Sequence, residues 1–515
     1  MRHRWAALVG IASLGLGCGG KKDTPPEPSV AQRPTTEPTT GTEPAPIEAP
    51  AFPEGTRSLE LTRTVSVRLE PGEDARRIGT IAVDTRVRWT QTAEGKGCKK
   101  PWVQIVPRGW VCSDYVQPSK KAPMGREVPM LDRGELVPGV YGKVTVANQV
   151  TYQLQKPEPP KKSKKKDAKK SDGPVTSTSQ VDPAAAADAG PQPKMVEGAP
   201  LVGSITVRQY DEITVGGKQY WKVSKKDNEY VLRSAISQHK PSLYNGARLG
   251  DDTNLAAPIA FVYPRAAGYA SAYTLNKATG GGIARSVPTR TPVAILETSS
   301  DKQGKPVAYR IAVPSTVPGP GPGSPPIVPG SEWIRANDVR IFTPAAPPAP
   351  LQKGERWIDI DLDTQILVAF EGDLAVYATM ISSGKKDTPT TTGIYRMWVK
   401  ESEADMKNLK SEDPYSVATV PWTQFFYPDE DLAIHTAYWH DAFGQQRSHG
   451  CVNVAPKDAR WLYFWSDPQV PPGWTMAAGV VEAPGSIVRV RSKADPTPAL
   501  KGYARQVDEI RRQNG

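Results

Sequence analysis

The chain has 515 residues, of which 38% are hydrophobic, and it contains 52 prolines and 44 glycines. This composition argues against one continuous globule and favours two to four compact modules joined by irregular linkers.

The formal net charge is +11, but eight lysines and two acidic residues lie between 156 and 170, so +6 of the charge falls in one short run. That run has no aromatic residues on which bases could stack, and we interpret 156–198 as a solvated, disordered linker and expect no nucleic-acid partner. A loose attraction to anionic envelope polymers or lipid head groups is the alternative.

The first 18 residues resemble a bacterial lipoprotein signal. A basic start at positions 2–4 precedes an apolar stretch over 5–17, which is too short to span a bilayer as a mature helix. The resemblance implies that Cys18 is lipidated, although Gly15 stands where an apolar residue is expected. A disordered Pro/Thr-rich tether over 19–57 would follow the anchor. An ordinary cleaved signal is the alternative, and both predict an exported, periplasmic chain.

Short alternating strands with turn signals predict a small antiparallel β-barrel over 58–117. Its closing Gly-Trp-Val cadence, at 109–116, resembles bacterial SH3-like domains, which often accompany wall-targeted enzymes. Cys98 and Cys112 lie on neighbouring predicted strands. In an exported protein, two cysteines within one small domain predict a disulfide.

A second β-rich region is expected over 199–342, and it falls into two pieces. Residues alternate over 201–232, and a further piece over 259–342 is interrupted by a Pro/Gly-rich loop at 314–329. This further piece has an aromatic-aliphatic strand near its end, as the first module does, so we interpret it as a further SH3-like module. A Pro/Ala-rich hinge at 343–350 separates it from the next domain.

The pattern tightens in the next domain, which we place at 353–492. Alternating residues at 357–362, 365–370 and 374–381, separated by turn signals, predict a meander of antiparallel hairpins. A helix is expected at 456–464, and a mostly exposed tail helix within 493–515.

Three of the five histidines, His435, His440 and His449, lie within 17 residues of Cys451. A cysteine acts as a nucleophile only as the thiolate, so it needs a base or a cationic neighbour. If Gly450 closes a tight turn, the amides of 449–451 could converge to stabilise an oxyanion, and acyl transfer through a thioester would follow. A zinc site is the main alternative, but the spacing matches no familiar ligand pattern. A structural disulfide and an inert buried thiol are two further ones.

The hexapeptide Ser448-His449-Gly450-Cys451-Val452-Asn453 resembles the signature of YkuD-type L,D-transpeptidases, with His435 in its expected place upstream. The elements Ser-Ser-Gly at 382–384 and Thr-Pro-Thr-Thr-Thr-Gly at 388–393 resemble further parts of that family. The resemblance covers about 357–492, and the loop after His435 is slightly shorter than the family's. It implies a mostly β fold class, with a YkuD-like β-sandwich preceded by small SH3-like β-barrel modules and disordered linkers.

The resemblance also implies residue roles. Cys451 is the nucleophile and His435 accepts and donates the proton, with a carbonyl at Thr436 orienting its ring. His449 is a second active-site histidine that fixes the tautomer and the turn, while Ser448 and Asn453 brace the loop. No metal and no cofactor are implied.

The function implied is attack by Cys451 on the bond between meso-diaminopimelate and the terminal D-Ala of a peptidoglycan tetrapeptide stem, which leads to 3→3 cross-links. The implied partners are peptidoglycan stem peptides, a membrane reached through the lipid anchor, and carbapenem-type inhibitors that acylate the same thiol. The same acyl-enzyme would also suit an L,D-carboxypeptidase or a protein-to-wall ligase. A non-catalytic, wall-binding envelope lipoprotein is the alternative from another class.

Overall fold

The computed structural model describes residues 52–156, 192–250, 255, 258–263, 270–313, 330–409 and 414–514, and this part is mostly β, as expected. The expected signal with Cys18, nearly all of the tether and most of the lysine-rich segment lie outside the described residues. Within the described residues, no helix has the length and hydropathy that crossing a membrane requires.

The first module is a small antiparallel β-structure, and its side chains alternate between core and surface as the sequence predicts. Val65 and Val67 are buried, and Gly109, with φ +86°, closes a hairpin in which the Ile105 N–H donates to its carbonyl at 2.8 Å. Cys98 and Cys112 are joined in a disulfide. The strands are β1 (Ser58–Leu61), β2 (Val65–Arg68), β3 (Arg77–Ile81), β4 (Arg86–Val87), β5 (Trp89–Ala93), β6 (Trp102–Ile105), β7 (Trp110–Cys112) and β8 (Val116–Ser119).

The second module corrects two boundaries expected from the sequence. Gln155, before the lysine-rich segment, pairs with Lys194 after it, so this segment is an insertion between two paired strands and its end belongs to a strand. The module is formed by strands from both sides of the insertion, whereas the sequence pattern assigns the residues before it, 118–155, to no module. Its strands are β9 (Val140–Val144), β10 (Val150–Gln155), β11 (Lys194–Pro200), β12 (Ser204–Gln209), β13 (Asp211–Val215), β14 (Lys218–Lys222), β15 (Tyr230–Leu232) and β16 (Ile236–Gln238).

The piece expected over 259–342 forms a separate seven-stranded sheet with its own core. A short strand, β17 (Ala247–Arg248), lies between the second module and this sheet in the chain. The separate sheet contains β18 (Ile259–Val262), β19 (Ser271–Leu275), β20 (Ile283–Pro288), β21 (Pro292–Ser300), β22 (Pro306–Ala312), β23 (Glu332–Arg335) and β24 (Val339–Phe342).

All three modules end in the same way, with a short strand, one turn of 3₁₀ helix and a second strand. The turns are Ser113–Tyr115, Arg233–Ala235 and Ala336–Asp338. The sequence shows this repeat only faintly, since what recurs is an aromatic or aliphatic strand before the turn. The SH3-like character of the first and third modules stays a prediction.

The last domain is a β-sandwich, and its first three strands are the expected meander. Its helix α1 (Pro456–Trp465) buries Ala459, Leu462 and Tyr463 completely, as its spacing predicts. The tail helix α2 (Gly502–Asn514) is less exposed than expected, since Ala504 and Val507 are buried. The strands are β25 (Arg356–Asp361), β26 (Ile366–Glu371), β27 (Leu374–Met380), β28 (Gly393–Arg396), β29 (Val399–Asn408), β30 (Tyr415–Tyr427), β31 (Leu432–Thr436), β32 (Val452–Val454), β33 (Trp474–Ala478) and β34 (Ile487–Arg491).

One face of the sandwich is the sheet β17-β27-β26-β25-β34-β28. The other belongs to a 13-stranded sheet with the order β16-β9-β12-β30-β29-β33-β3-β2-β7-β6-β5, in which β31 pairs with β30 and β32 with β31. Strands of the first and second modules thus continue this sheet of the sandwich at either end. The modules are joined to the sandwich by backbone hydrogen bonds.

The junction of β3 with β33 depends on a glycine. Gly79 pairs with Ala477, and a Cβ at Gly79 would lie 2.0 Å from the ring of the buried Trp474. No side chain fits there unless the indole or the strand moves.

We expect Gly79→Ala to cost about 1–3 kcal/mol of stability through overpacking at this junction. The measurement is the midpoint of thermal unfolding by calorimetry. The matched control is Gly282→Ala, where the nearest atom to the added Cβ lies 3.9 Å away and little change is expected. Equal midpoints for the two variants would contradict the docking of the first module on β33.

Candidate active site

The parallel pairing of β31 with β32 brings the two principal candidates together. His435 is on β31 opposite Asn453 of β32, and Cys451 immediately precedes β32. Parallel neighbours lie about 4.8 Å apart. Residues 16 positions apart in sequence therefore face one site.

His435 is buried, and its tautomer is fixed by the backbone. Its Nδ1 lies 2.9 Å from the carbonyl oxygen of Thr436, which can only accept, so Nδ1 carries the hydrogen and Nε2 is the basic nitrogen. Burial lowers the pKa of His435 to about 4, and the bond to Thr436 opposes this shift. The imidazole is therefore neutral at physiological pH.

Cys451 is half-buried at the end of the turn. Its thiol donates to the Asp431 carbonyl, with Sγ 3.7 Å from the oxygen. Burial raises the pKa of the thiol to about 11, while a hydrogen bond from the backbone of Ala433 acts in the opposite direction. In the resting site, the neutral thiol thus accompanies a neutral imidazole, and the proton must move during the reaction.

Gly450 is required by the turn, because its φ is +122°. Its N–H donates to Ser448 Oγ at 3.2 Å, and the same hydroxyl donates to the Cys451 carbonyl. The expected convergence of three free amides is wrong for Gly450, whose N–H is already engaged. The bracing role expected for Ser448 agrees with these two bonds.

The segment 382–390 holds the turn from the other side. Thr390 donates to the Gly450 carbonyl at 2.6 Å and accepts from the Gly384 N–H at 2.9 Å. Ser382 and Asn453 exchange two backbone hydrogen bonds, each 2.9 Å long. The sequence placed 382–384 and 388–393 in the family pattern without giving Thr390 a role, because only the folded chain brings it to Gly450.

His449 lines the cavity, as expected of a second histidine at the site, but it is not the group that fixes the tautomer of His435. The Thr436 carbonyl fixes the tautomer of His435, whereas His449 is exposed and stacks on Tyr415, with ring centroids 4.8 Å apart and planes at 20°. Sequence reasoning missed Tyr415, which lies at the start of β30, far from the motif in sequence.

His440, which the sequence left without a role, contacts Asn453. The Ala442 N–H donates to His440 Nδ1 at 3.2 Å, and Asn453 Nδ2 lies 3.1 Å from Nε2. Burial lowers the pKa of His440 to about 4, so the ring is neutral and its single hydrogen is on Nε2. Turning the Asn453 amide by 180° pairs this N–H with Oδ1, which otherwise is buried without a partner among the described residues.

The histidine cluster does not form the ligand group of the zinc alternative. A metal site needs at least three His, Cys, Asp or Glu side chains with their ligand atoms close together. Within the described residues, Cys98, Cys112 and Asp114 form such a group, with ligand atoms within 4.8 Å of one another. Both of those sulfurs are already in the disulfide.

The site residues open on one cavity of about 440 Å³, lined by His435, Ser448, His449, Cys451 and Asn453, with Gly450 in the turn behind it. Trp439 packs on the face of His435, with ring centroids 5.8 Å apart, and also lines the cavity. A cysteine beside a neutral histidine over a cavity of this size is suited to acyl transfer on a peptide-sized substrate.

Comparison with known proteins agrees with this class of site. Residues 355–490 match the family YkuD, described as the L,D-transpeptidase catalytic domain. The chain is 33% identical over 113 residues to L,D-transpeptidase 2 of Mycobacterium tuberculosis, which covers 20% of this chain and 27% of the relative. It is 27% identical over 121 residues to the putative L,D-transpeptidase YciB of Bacillus subtilis, covering 21% and 59%.

Solved structures of similar proteins include the catalytic domain of an E. faecium L,D-transpeptidase, at 24% identity, covering 27% of this chain and 98% of that one, with a TM-score of 0.21. The L,D-transpeptidase LdtMt1 in complex with imipenem is 19% identical, covering 31% and 72%, with a TM-score of 0.23. The match thus concerns one domain, and the chain spans about a quarter and three-fifths of the two curated relatives. Residues 355–490 form an L,D-transpeptidase catalytic domain of the YkuD type.

Because the resting thiol is neutral, alkylation of Cys451 by iodoacetamide should accelerate up to about pH 11, with no plateau near pH 9, the ordinary range of a thiol. The measurement is the rate of mass gain of the intact protein, with N-acetylcysteine in the same tube as the reference thiol. A plateau reached by pH 8 would instead indicate a resting thiolate–imidazolium pair.

Proposed function

We propose that this protein is a peptidoglycan L,D-transpeptidase that acts through a thioester on Cys451. The observation that carries the proposal is the neutral His435, fixed in one tautomer by Thr436, beside the Cys451 thiol at the same cavity. The match of 355–490 to the family supports the substrate class.

In the first step, Nε2 of His435 takes the thiol proton and Sγ of Cys451 forms a bond to the carbonyl carbon between meso-diaminopimelate and the terminal D-Ala. The carbonyl oxygen becomes an oxyanion, and preorganised N–H donors stabilise such a charge. Since the Gly450 N–H is engaged with Ser448, we assign this role to the backbone N–H of Cys451, which has no partner among the described residues.

In the second step the carbon–nitrogen bond breaks. The imidazolium of His435 gives its proton to the departing D-Ala amine, and the acyl group remains on sulfur. The low pKa of His435 makes this proton transfer favourable, because a weakly basic imidazole is a strong acid once protonated.

The thioester is resolved by a nucleophile that loses a proton to His435, after which the proton returns to the sulfur. A diaminopimelate amine gives a 3→3 cross-link, water gives a carboxypeptidase product, and a protein amine gives a chain attached to the wall. We favour the transpeptidase outcome, since both curated relatives carry that name.

The location of the protein is part of the proposal. An exported chain, lipidated at Cys18 and reaching the wall through SH3-like modules, would place the active site in the periplasm beside its polymer. Acylation of Cys451 by carbapenems follows from the same thiol chemistry, and one similar structure contains imipenem.

The test is incubation of the purified soluble chain with disaccharide-tetrapeptide, followed by mass spectrometry of products and intact protein. A dimer with loss of D-Ala is expected from the wild type and none from Cys451→Ala. If a tripeptide is the sole product, the reaction is carboxypeptidation and not transpeptidation. The absence of both turnover and an imipenem adduct on Cys451 would overturn the proposal that this protein is an enzyme.

We expect His435→Gln to slow thioester formation by about 10²–10⁴-fold at pH 7, the usual contribution of a positioned general base. The deficit should shrink towards pH 11, where the thiol ionises without help. The readout is the rate of acyl-enzyme accumulation in single-turnover mass spectrometry. A deficit that stays constant across this range would argue against the base role.

A further inference from the structure

The cavity of Cys451 is not formed by the catalytic domain alone. Lys143 of β9, Ser204 and Thr206 of β12, and His239 after β16 line it as well. These four residues belong to the second module, outside the range 355–490 that matches the family.

Sheet register explains why they reach the site. Ser204 lies opposite Tyr415 in the parallel pair of β12 with β30, and Thr206 lies opposite Val417. On its other side Thr206 lies opposite Lys143 of β9. Directly paired residues point to the same face of a sheet, so Lys143, Thr206 and Val417 form one row across the module boundary.

The charged side chains that line the cavity are all positive among the described residues. Lys143, Lys385 and Arg447 are among the residues that line the cavity, and none of the described lining residues is acidic. Lys143 and Arg447 are exposed, and within the described residues neither has an acidic side chain at ion-pair distance. A cleft lined by cations raises the local concentration of anionic ligands.

Neutral hydrogen-bonding groups lie next to the lysine. Thr206 is buried, and its Oγ1 lies 3.4 Å from Nε2 of His239. Burial and the neighbouring Lys143 lower the pKa of His239 to about 4, so this ring stays neutral. The His239 backbone is held by its N–H bond to the Tyr141 carbonyl at 2.8 Å.

We propose that the second module is part of the substrate site, with Lys143 and Thr206 binding a free carboxylate of an acidic peptide. The ammonium group of Lys143 can donate a charge-assisted hydrogen bond to a carboxylate oxygen, and the hydroxyl of Thr206 in the same row is a second donor. The inference deepens the proposed function by naming the recognition of its acidic stem substrate.

The test measures binding without turnover. In the full chain carrying Cys451→Ala, isothermal titration is run with disaccharide-tetrapeptide in its free-acid form and with its carboxamide counterpart. Adding Lys143→Gln should weaken binding of the acid form about tenfold, because one charge-assisted hydrogen bond is lost. The affinity for the carboxamide form should change less than about twofold. Lys143→Arg, which keeps the charge, should restore the acid affinity to within about threefold.

Lys218→Gln is the matched control, because it removes the same charge from the same module at an exposed position on β14 outside the cavity. It should leave both affinities unchanged. Equal affinity for the acid form with and without Lys143→Gln, or no binding of the acid form at all, would overturn the inference.

The wild-type reaction separates this result from the proposed function. If the acid stem is turned over and Lys143→Gln does not change its KM, Lys143 has no role in binding, while the proposed enzymatic function stands. Binding that depends on Lys143 without any thioester on Cys451 supports the carboxylate site and overturns acyl transfer.

Discussion

The parallel pairing of Leu432–Thr436 with Val452–Val454 is the constraint on which the site depends. It fixes the backbone on which His435 and Cys451 are carried, while the Thr436 carbonyl fixes the imidazole ring. The turn between the strands is then closed by Gly450 at positive φ and held by Thr390 and Ser382. A reactive pair needs this rigidity, because small displacements of a nucleophile from its base reduce the rate strongly.

The same sheet continues into the second module, and this has consequences for the cavity. Because β12 pairs with β30, a strand outside the catalytic domain lies beside Tyr415, the aromatic partner of His449. Backbone pairing gives a more fixed relation between modules than a flexible tether does, since ladder hydrogen bonds set the register as well as the distance. A module attached in this way can supply side chains to an active site.

Several features were accessible from local sequence pattern. The hairpins over 357–381 and the helix at 456–464 follow from alternation and helical spacing, and the structure has them with boundaries that shift by no more than one residue. The expected boundaries of the lysine-rich linker and of the second module were wrong for one reason. Gln155 pairs with Lys194 across a long insertion, and a strand partner distant in sequence leaves no periodic signal near either strand.

The sequence by itself determined the chemical parts of the protein: a cysteine with histidines nearby, a glycine for a strained turn, and alternating strands around them. Residue type and short-range spacing are enough for these, because they reflect local conformational preference and intrinsic reactivity. Only the tertiary structure decided that the His440 ring lies against the Asn453 amide, that Tyr415 and Thr390 belong to the site, and that Lys143 and Thr206 line its cavity. Each of these depends on strand register and on burial, which are set by contacts between residues far apart in the chain.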